Sequence, residues 1–343
     1  MSLEKRRLGT TDMNLTTVGI GTFAMGGGNY RYSWGPQDDE RSIETIRYAV
    51  DHGVNWLDTA PIYGLGHAEE VVGRALREIP AAERPYVFTK AGMVFEPSKP
   101  FQDPEFNLRP ESLRRELEDS LRRLQVECID LYLLHWPDRI GTPIEDSWNQ
   151  LVRFIDEGKV RAIGVSNFSV ELLESCEAIH HVDMLQPPLS LIRRESGADV
   201  IPWCDAHGTG VVVYQPLQAG ILTDAMSAEL LASFTEDDLR RPQAEFQEPN
   251  FSRELALRDA LRPIAARHHS TTVAVAVGWD LAWPGVTGAI VGARSPQEVD
   301  GYAELGSLHL TPQDLTEIAQ AIVSTKAGGG PATVAAPAGA GAK

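Results

Sequence analysis

The sequence predicts an α/β fold, a closed (β/α)8 or TIM barrel with an N-terminal β-hairpin and an extra C-terminal helix. Three observations predict it. Short apolar, β-branched runs alternate eight times with longer amphipathic runs, the pattern of repeated βα units on a parallel sheet. The chain has 343 residues, which suits one barrel of about 250 residues plus insertions. An open doubly wound sheet, the competing architecture, should carry a GxGxxG phosphate loop after its first strand. Gly19-Ile-Gly21 and Gly26-Gly-Gly28 lack that spacing, and the segment runs on into Tyr30, Tyr32 and Trp34.

The strands are expected at Val18–Gly21, Asn55–Asp58, Tyr86–Lys90, Ile129–Leu134, Arg161–Val165, Met184–Gln186, Val211–Tyr214 and Val286–Val291. Between them the helices are expected at Asp39–Asp51, Glu69–Arg77, Pro110–Leu124, Pro143–Glu157, Val170–Ala178, Gly197–Ala206, Thr272–Trp283 and Pro296–Leu305. Pro110 and Pro143 suit a first helical turn, and Gly158 stands where a left-handed cap is wanted. Lys5–Leu8 and Leu15–Thr17, split by Gly9-Thr10-Thr11-Asp12, read as a hairpin able to plug one end of the barrel. Phe234–Ser252 is polar, contains proline and is long for a barrel loop, so it reads as a functional lid. Residues 1–326 are expected to form one barrel domain. The tail Ala327–Lys343, almost all Ala, Gly and Pro, is expected to be flexible.

Apolar residues make up 43% and charged residues 23% of the chain, values that fit a globular protein with a substantial core. The formal charge is −17, so a nucleic-acid backbone or an anionic membrane surface would be repelled. The three cysteines, Cys128, Cys176 and Cys204, form no CxxC pair, which suits a reducing compartment. Met1–Arg7 is charged and has no apolar run of signal-peptide type, and no stretch reaches the ~18 apolar residues of a membrane span. The expectation is a soluble cytoplasmic protein acting on a small molecule, without nucleic-acid or membrane partners. Oligomeric state is left open.

In such barrels the active site lies at the carboxyl ends of the strands. Strand two ends in Asp58 with Tyr63 close behind, strand three in Lys90, strand four in His135, strand five in Ser166-Asn167, strand six in Gln186 and strand seven in Tyr214. Reduction of a carbonyl needs a hydride at carbon and a proton at oxygen, and a phenol with pKa near 10 is a poor acid unless its neighbours tune it. An ammonium at Lys90 would lower the pKa of Tyr63, Asp58 would hold that ammonium, and His135 could donate to the carbonyl oxygen. The plainer alternatives are a structural Lys90–Asp58 ion pair and a core histidine beside Trp136. The doublets His180-His181 and His268-His269 have no acidic ligand at suitable spacing and read as solvated faces; no metal is expected.

The run Gly53-Val-Asn-Trp-Leu-Asp58-Thr-Ala-Pro-Ile-Tyr63-Gly-Leu-Gly66, followed by Glu69-Glu70-Val-Val-Gly73, resembles the first signature of the aldo-keto reductase superfamily. Phe88-Thr-Lys90, Leu134-His135-Trp136-Pro137 and Gly164-Val-Ser-Asn-Phe168 match further motifs in the family's order. The resemblance runs from about Arg7 to about Leu305 and implies a catalytic tetrad of Asp58, Tyr63, Lys90 and His135. Tyr63 would be the general acid, and His135 would orient the substrate. It also implies that Ser166, Asn167 and Gln186 bind a nicotinamide carboxamide, that Tyr214 stacks on the ring, and that Leu217, Gln218 and Gly220 pass the pyrophosphate.

Gly292-Ala-Arg-Ser295 corresponds to the adenosine 2′-phosphate region, where Arg294 would favour NADP(H). Two departures from the family pattern weaken this correspondence and leave NAD(H) as the alternative. Glu298 replaces the family's Gln or basic residue, and Gly301-Tyr302 stands where an adenine-contacting Glu-Asn pair is common. Phe23, Trp34, Phe95, Trp136 and Phe168 lie just beyond strand ends or in mouth loops; each either lines an apolar substrate pocket or is core.

The implied activity is a reversible, NADP(H)-dependent reduction of an aldehyde or ketone. An NAD-dependent sugar or alcohol dehydrogenase is the second reading. A cofactor-binding regulatory subunit is the third, and the intact tetrad argues against it.

Overall fold

The computed structural model describes residues 3–235 and 238–334. Among the described residues twelve strands occur in chain order: β1 (Lys5–Arg7), β2 (Asn14–Thr16), β3 (Val18–Gly21), β4 (Trp56–Asp58), β5 (Tyr86–Ala91), β6 (Met93–Val94), β7 (Glu105–Phe106), β8 (Ile129–Leu134), β9 (Val160–Ser166), β10 (Met184–Gln186), β11 (Gly210–Val213) and β12 (Val286–Gly292). Eight of them close a barrel in the order β3-β4-β5-β8-β9-β10-β11-β12. Closure is made by β12 on β3, where Ala289 pairs with Val18 and Gly292 with Gly21. Every barrel pair is parallel, as βα repeats require.

Alternation along each strand separates two cores. Trp56, Phe88, Leu131, Leu133, Ala162, Met184, Val212 and Ile290 fill the barrel interior, whereas Leu57, Tyr132, Leu134, Ile163 and Val213 face the surrounding helices. The glycine content of β3 follows from this filling. A Cβ on Gly19 would lie 2.1 Å from the Trp56 ring.

β1 and β2 form the expected antiparallel hairpin, with Lys5 opposite Thr16. Leu8, Met13 and Leu15 join the interior cluster, so the hairpin stops the end of the barrel away from the strand carboxyl ends. Gly9 is needed there: its φ is +49°, and a Cβ would meet the Gly208 carbonyl and Gly210 nitrogen at 2.5 Å.

The helices at Asp39–Asp51 and Pro110–Leu124 have the expected limits, and Asp38 caps the first through the Arg41 N–H. Elsewhere the structure departs from expectation. Pro143 precedes its helix, Ile144–Asp156, instead of opening it. Gly197 ends a short 3-10 turn, and the sixth barrel helix starts at Val200, capped by Asp199. The expected helix Pro296–Leu305 is two short ones, Pro296–Val299 and Tyr302–Leu305, interrupted at Gly301, a poor helix former. The extra C-terminal helix is Pro312–Thr325, opened by a capping box between Thr311 and Asp314.

The segment after β11 holds helices that the sequence pattern does not disclose, at Ala228–Ala232, Asn250–Ala260 and Arg262–Arg267. The stretch read as a polar lid is anchored by Phe234, Phe246 and Phe251, all buried; its residues Glu236 and Asp237 lie outside the described residues. The tail expectation also needs correction at its start. Ala327, Gly329 and Pro331 accept or exchange hydrogen bonds with residues 192–194, so this part is docked; residues 335–343 lie outside the described residues.

Among the described residues no helix is long and apolar enough to cross a membrane, and no group of three His, Cys, Asp or Glu side chains could hold a metal ion. His268 bonds Asp314 at 2.8 Å, and His181 bonds Glu177 at 2.9 Å.

Candidate active site

The carboxyl ends of β4, β5 and β8 bring the four tetrad residues together. Lys90 is fully buried and Asp58 nearly so. The ammonium donates to Asp58 Oδ1 at 2.8 Å, to Asp58 Oδ2 at 2.7 Å and to the Thr59 carbonyl at 2.9 Å. Three donors thus meet three acceptors, which is what makes an ion pair in a dry site tolerable. Tyr63 enters from the turn after β4 and presents its ring to Lys90, whose Nζ lies 5.3 Å from the ring centroid. The His135 ring stands edge to face with Tyr63, centroids 6.0 Å apart.

One expectation is corrected here. Lys90 was expected to draw the Tyr63 phenol downward, but burial, followed by the negative charge of Asp58, pushes it well above the ordinary phenol value. Burial is the main cause, and the Lys90 ammonium, whose three hydrogens are on Asp58 and Thr59, does not outweigh it. Burial also lowers Lys90, against the pull of Asp58. Burial and the Lys90 charge hold His135 well below the usual histidine range, so its imidazole is neutral at pH 7 with one N–H to donate.

A second polar group lies on the neighbouring strands. Ser166 Oγ donates to the Gln186 carbonyl at 2.9 Å. Asn167, at a left-handed φ of +63°, donates to Ser166 Oγ and to the His135 carbonyl and accepts from the Tyr214 hydroxyl at 2.7 Å. Gln186 Nε2 donates to Asp58 Oδ1 at 2.8 Å, which joins this group to Asp58 and commits one of the amide's two N–H donors. The set combines a hydroxyl, two carboxamides and a partly exposed aromatic ring. Such donors and acceptors fit a planar carboxamide-bearing ring, and a nicotinamide is one.

The turn after β11, whose residues were expected to pass a pyrophosphate, is strained. Gln215, Gln218 and Ala219 have φ of +58°, +43° and +50°, beside Gly220 at +96°; three non-glycine residues in this region are costly. Gln218 is held by Ser190 at 3.1 Å and Glu245 at 2.9 Å, and Leu217 packs against the core. Beyond β12, Gly292 is open, with nothing within 4 Å of an added Cβ. Arg294 Nε donates to Gln37 Oε1 at 2.9 Å, and an Nη donates to the Pro36 carbonyl at 2.5 Å. Glu298 turns toward the Arg294 backbone N–H, 3.1 Å, and the Ser295 hydroxyl, 3.4 Å. Tyr302 is buried and donates to the Val291 carbonyl at 2.9 Å.

Of the five aromatic candidates, Phe23 packs edge to face on Tyr63 at 5.0 Å and on Trp34 at 5.8 Å. Trp136 follows His135 and packs on Phe106 at 6.3 Å. Phe95 lines a cleft with Val94, Glu96 and residues 102–105, a lining that includes no tetrad residue. Phe168 is core, 4% exposed among outward-facing barrel residues; the left-handed Asn167, φ +63°, breaks the strand alternation that would otherwise have kept position 168 on the side of Ser166. Sequence reasoning missed Phe106 and Arg139, whose guanidinium lies 3.9 Å from the Phe106 ring centroid. The pairing of β6 with β7 places them, and two-residue strands leave no periodic signal.

Residues 17–323 match the model of the Aldo/keto reductase family. The chain is 35% identical to Aldo-keto reductase YhdN of Bacillus subtilis over 92% of each chain. It is 32% identical to the NADH-specific methylglyoxal reductase of Escherichia coli, over 93% of this chain and 99% of that one. Among solved structures, the glycerol dehydrogenase AKR11B4 from Gluconobacter oxydans superposes with a TM-score of 0.87 at 38% identity, covering 98% of this chain and 100% of that one.

Proposed function

We propose that this chain, which belongs to the aldo/keto reductase family, uses Tyr63 as the proton donor in the reduction of an aldehyde or ketone. It is a nicotinamide-dependent oxidoreductase. The observation that carries the residue roles is the buried Lys90–Asp58 pair set against the Tyr63 ring, with His135 beside it. Tyr63, held protonated by burial, gives its proton to the carbonyl oxygen. The neutral His135 donates a hydrogen bond to the same oxygen and fixes its direction. Lys90 offsets the charge left on the phenolate, and Asp58 keeps Lys90 in place. Ser166, Asn167, Gln186 and Tyr214 would hold the nicotinamide, which supplies the hydride when bound. Phe23 and Trp34 close the apolar side of the mouth and keep water from the reacting oxygen.

For the dinucleotide, the arrangement at Arg294 and Glu298 supports NAD(H) over the NADP(H) favoured by sequence alone. The Glu298 carboxylate occupies the backbone N–H that a 2′-phosphate would seek, and the Arg294 guanidinium is turned to Gln37 and Pro36. The Escherichia coli relative, whose name states NADH specificity, points the same way. A dehydrogenase working toward the carbonyl uses the same residues in reverse, and the Gluconobacter oxydans neighbour is named for such an activity.

Tyr63→Phe tests the assignment. Turnover of a carbonyl panel should fall by about a hundredfold or more while NADH affinity by fluorescence titration stays within about twofold, since general acid catalysis contributes about 10²–10⁴. A variant that keeps its rate removes Tyr63 from this role, and tighter binding of NADPH than NADH returns the preference to NADP(H).

A further inference from the structure

The loop that runs along Tyr214 carries a cation that the proposed reaction does not use. The loop after β10 runs along Tyr214: the Tyr214 N–H donates to the Pro187 carbonyl at 3.1 Å, and the Leu189 N–H donates to the Tyr214 carbonyl at 3.3 Å. It then turns tightly. Ser190 N–H donates to the Arg193 carbonyl, Ser190 Oγ accepts from the Arg193 N–H at 3.0 Å, and the same hydroxyl donates to Gln218 Oε1 at 3.1 Å. Arg193 is therefore tied both to the strand bearing Tyr214 and to the strained turn at 218–220.

The next residue makes the turn rigid. Arg194, 3% exposed, spreads its guanidinium over the carbonyls of Leu191, Ile192, Ala327 and Pro331. Its backbone N–H bonds the Gly329 carbonyl, whose residue in turn donates to Ile192. Of two adjacent arginines, one is consumed inside the loop and the other is left outside. Arg193 is exposed, and among the described residues its guanidinium has no carboxylate partner, in a chain where acidic residues outnumber basic ones by 48 to 31. Its positive charge nevertheless reaches the Tyr214 phenol, opposing the burial that pushes that group up to about 12.

We propose that Arg193 is an anion-recognition residue of the active-site mouth, reading a phosphate or carboxylate on the molecule held against Tyr214. A guanidinium without a carboxylate partner offers an oxyanion two parallel donors, and its planar fork loses less entropy per hydrogen bond than an ammonium would. The anion has two sources, the pyrophosphate of the dinucleotide or an acidic group on the substrate. The proposal rests on the cofactor reading above for what lies against Tyr214.

Full-length Arg193→Met, Arg193→Gln and Arg193→Lys test it, with melting curves to establish folding. NADH dissociation constants are measured by fluorescence at low and high salt, and kcat/KM is compared for glyceraldehyde 3-phosphate and glyceraldehyde. If the pyrophosphate is the anion, the neutral variants weaken NADH by about tenfold and Lys recovers part of the loss, as expected for one charge-assisted contact; the salt dependence of binding also becomes shallower. If the substrate carries the anion, NADH affinity holds and the preference for the phosphorylated aldehyde falls by a similar factor. Either result supports the proposal. Wild-type values for both quantities in the neutral variants overturn it, with the cofactor reading intact. A wild-type protein that binds no NADH overturns both.

Discussion

Glu116 grips the strand end that delivers Lys90, although it takes no part in the proposed chemistry. Its carboxylate accepts the Gly92 N–H at 2.9 Å and the Ser112 hydroxyl at 3.2 Å, and burial pushes its pKa up to about 7. A carboxyl raised in the folded state binds its proton more tightly there than in the unfolded chain. Stability from this group is therefore full below the unfolded value near 4.3, falls as pH rises through about 7, and is flat beyond. Glu116→Gln keeps an acceptor for Gly92 and removes the titration. The variant should melt higher than wild type at pH 8, with a smaller difference at pH 5; an equal shift at both would assign the effect to packing. The same reasoning separates the two kinds of residue at the mouth. Asp58, Tyr63, Lys90 and His135 were legible because their types and order are a chemical pattern, whereas the direction of the Tyr63 shift was not, since it depends on how deeply the folded chain buries the phenol and how near it sets the Asp58 carboxylate.

At the scale of elements, the hairpin and the mouth do separate work. Leu15 is fully buried in the barrel interior, at the end remote from Tyr63. Leu15→Ala should cost about 2–5 kcal/mol by denaturant unfolding, the range for a large buried truncation, while kcat stays near the wild-type value. A fall in kcat matching the loss of stability would mean that the plug shapes the mouth through the intervening layers. Elements with a strong period were read well: β3, β8 and β10 and the helices at 39–51 and 110–124 keep their limits. The segment from 228 to 267 was not, because its helix at Asn250–Ala260 buries Glu254 and Arg258 along with Phe251 and Leu257, and mixed burial of this kind blurs a 3.6-residue pattern.

For the molecule as a whole, the charge of −17 makes compaction work against self-repulsion. Raising sodium chloride from about 0.1 M to about 1 M shortens the Debye length from about 10 Å to about 3 Å, and Tm should rise, since exposed ion pairs contribute little to offset it. A falling Tm would show instead that pairs crossing between elements, such as Arg114–Glu157 and Arg161–Asp130, outweigh the net repulsion. The barrel and the meeting of Asp58, Tyr63, Lys90 and His135 at its mouth follow from local information: strand and helix periods set eight βα units, and the closing of those units necessarily gathers their carboxyl ends. What only the folded chain decided is how side chains distant in sequence share partners. Glu298 turning onto Arg294, Gln186 spending one N–H donor on Asp58, and Arg194 drawn inward while Arg193 is left free all depend on distances between loops, and no residue spacing encodes those before the barrel closes.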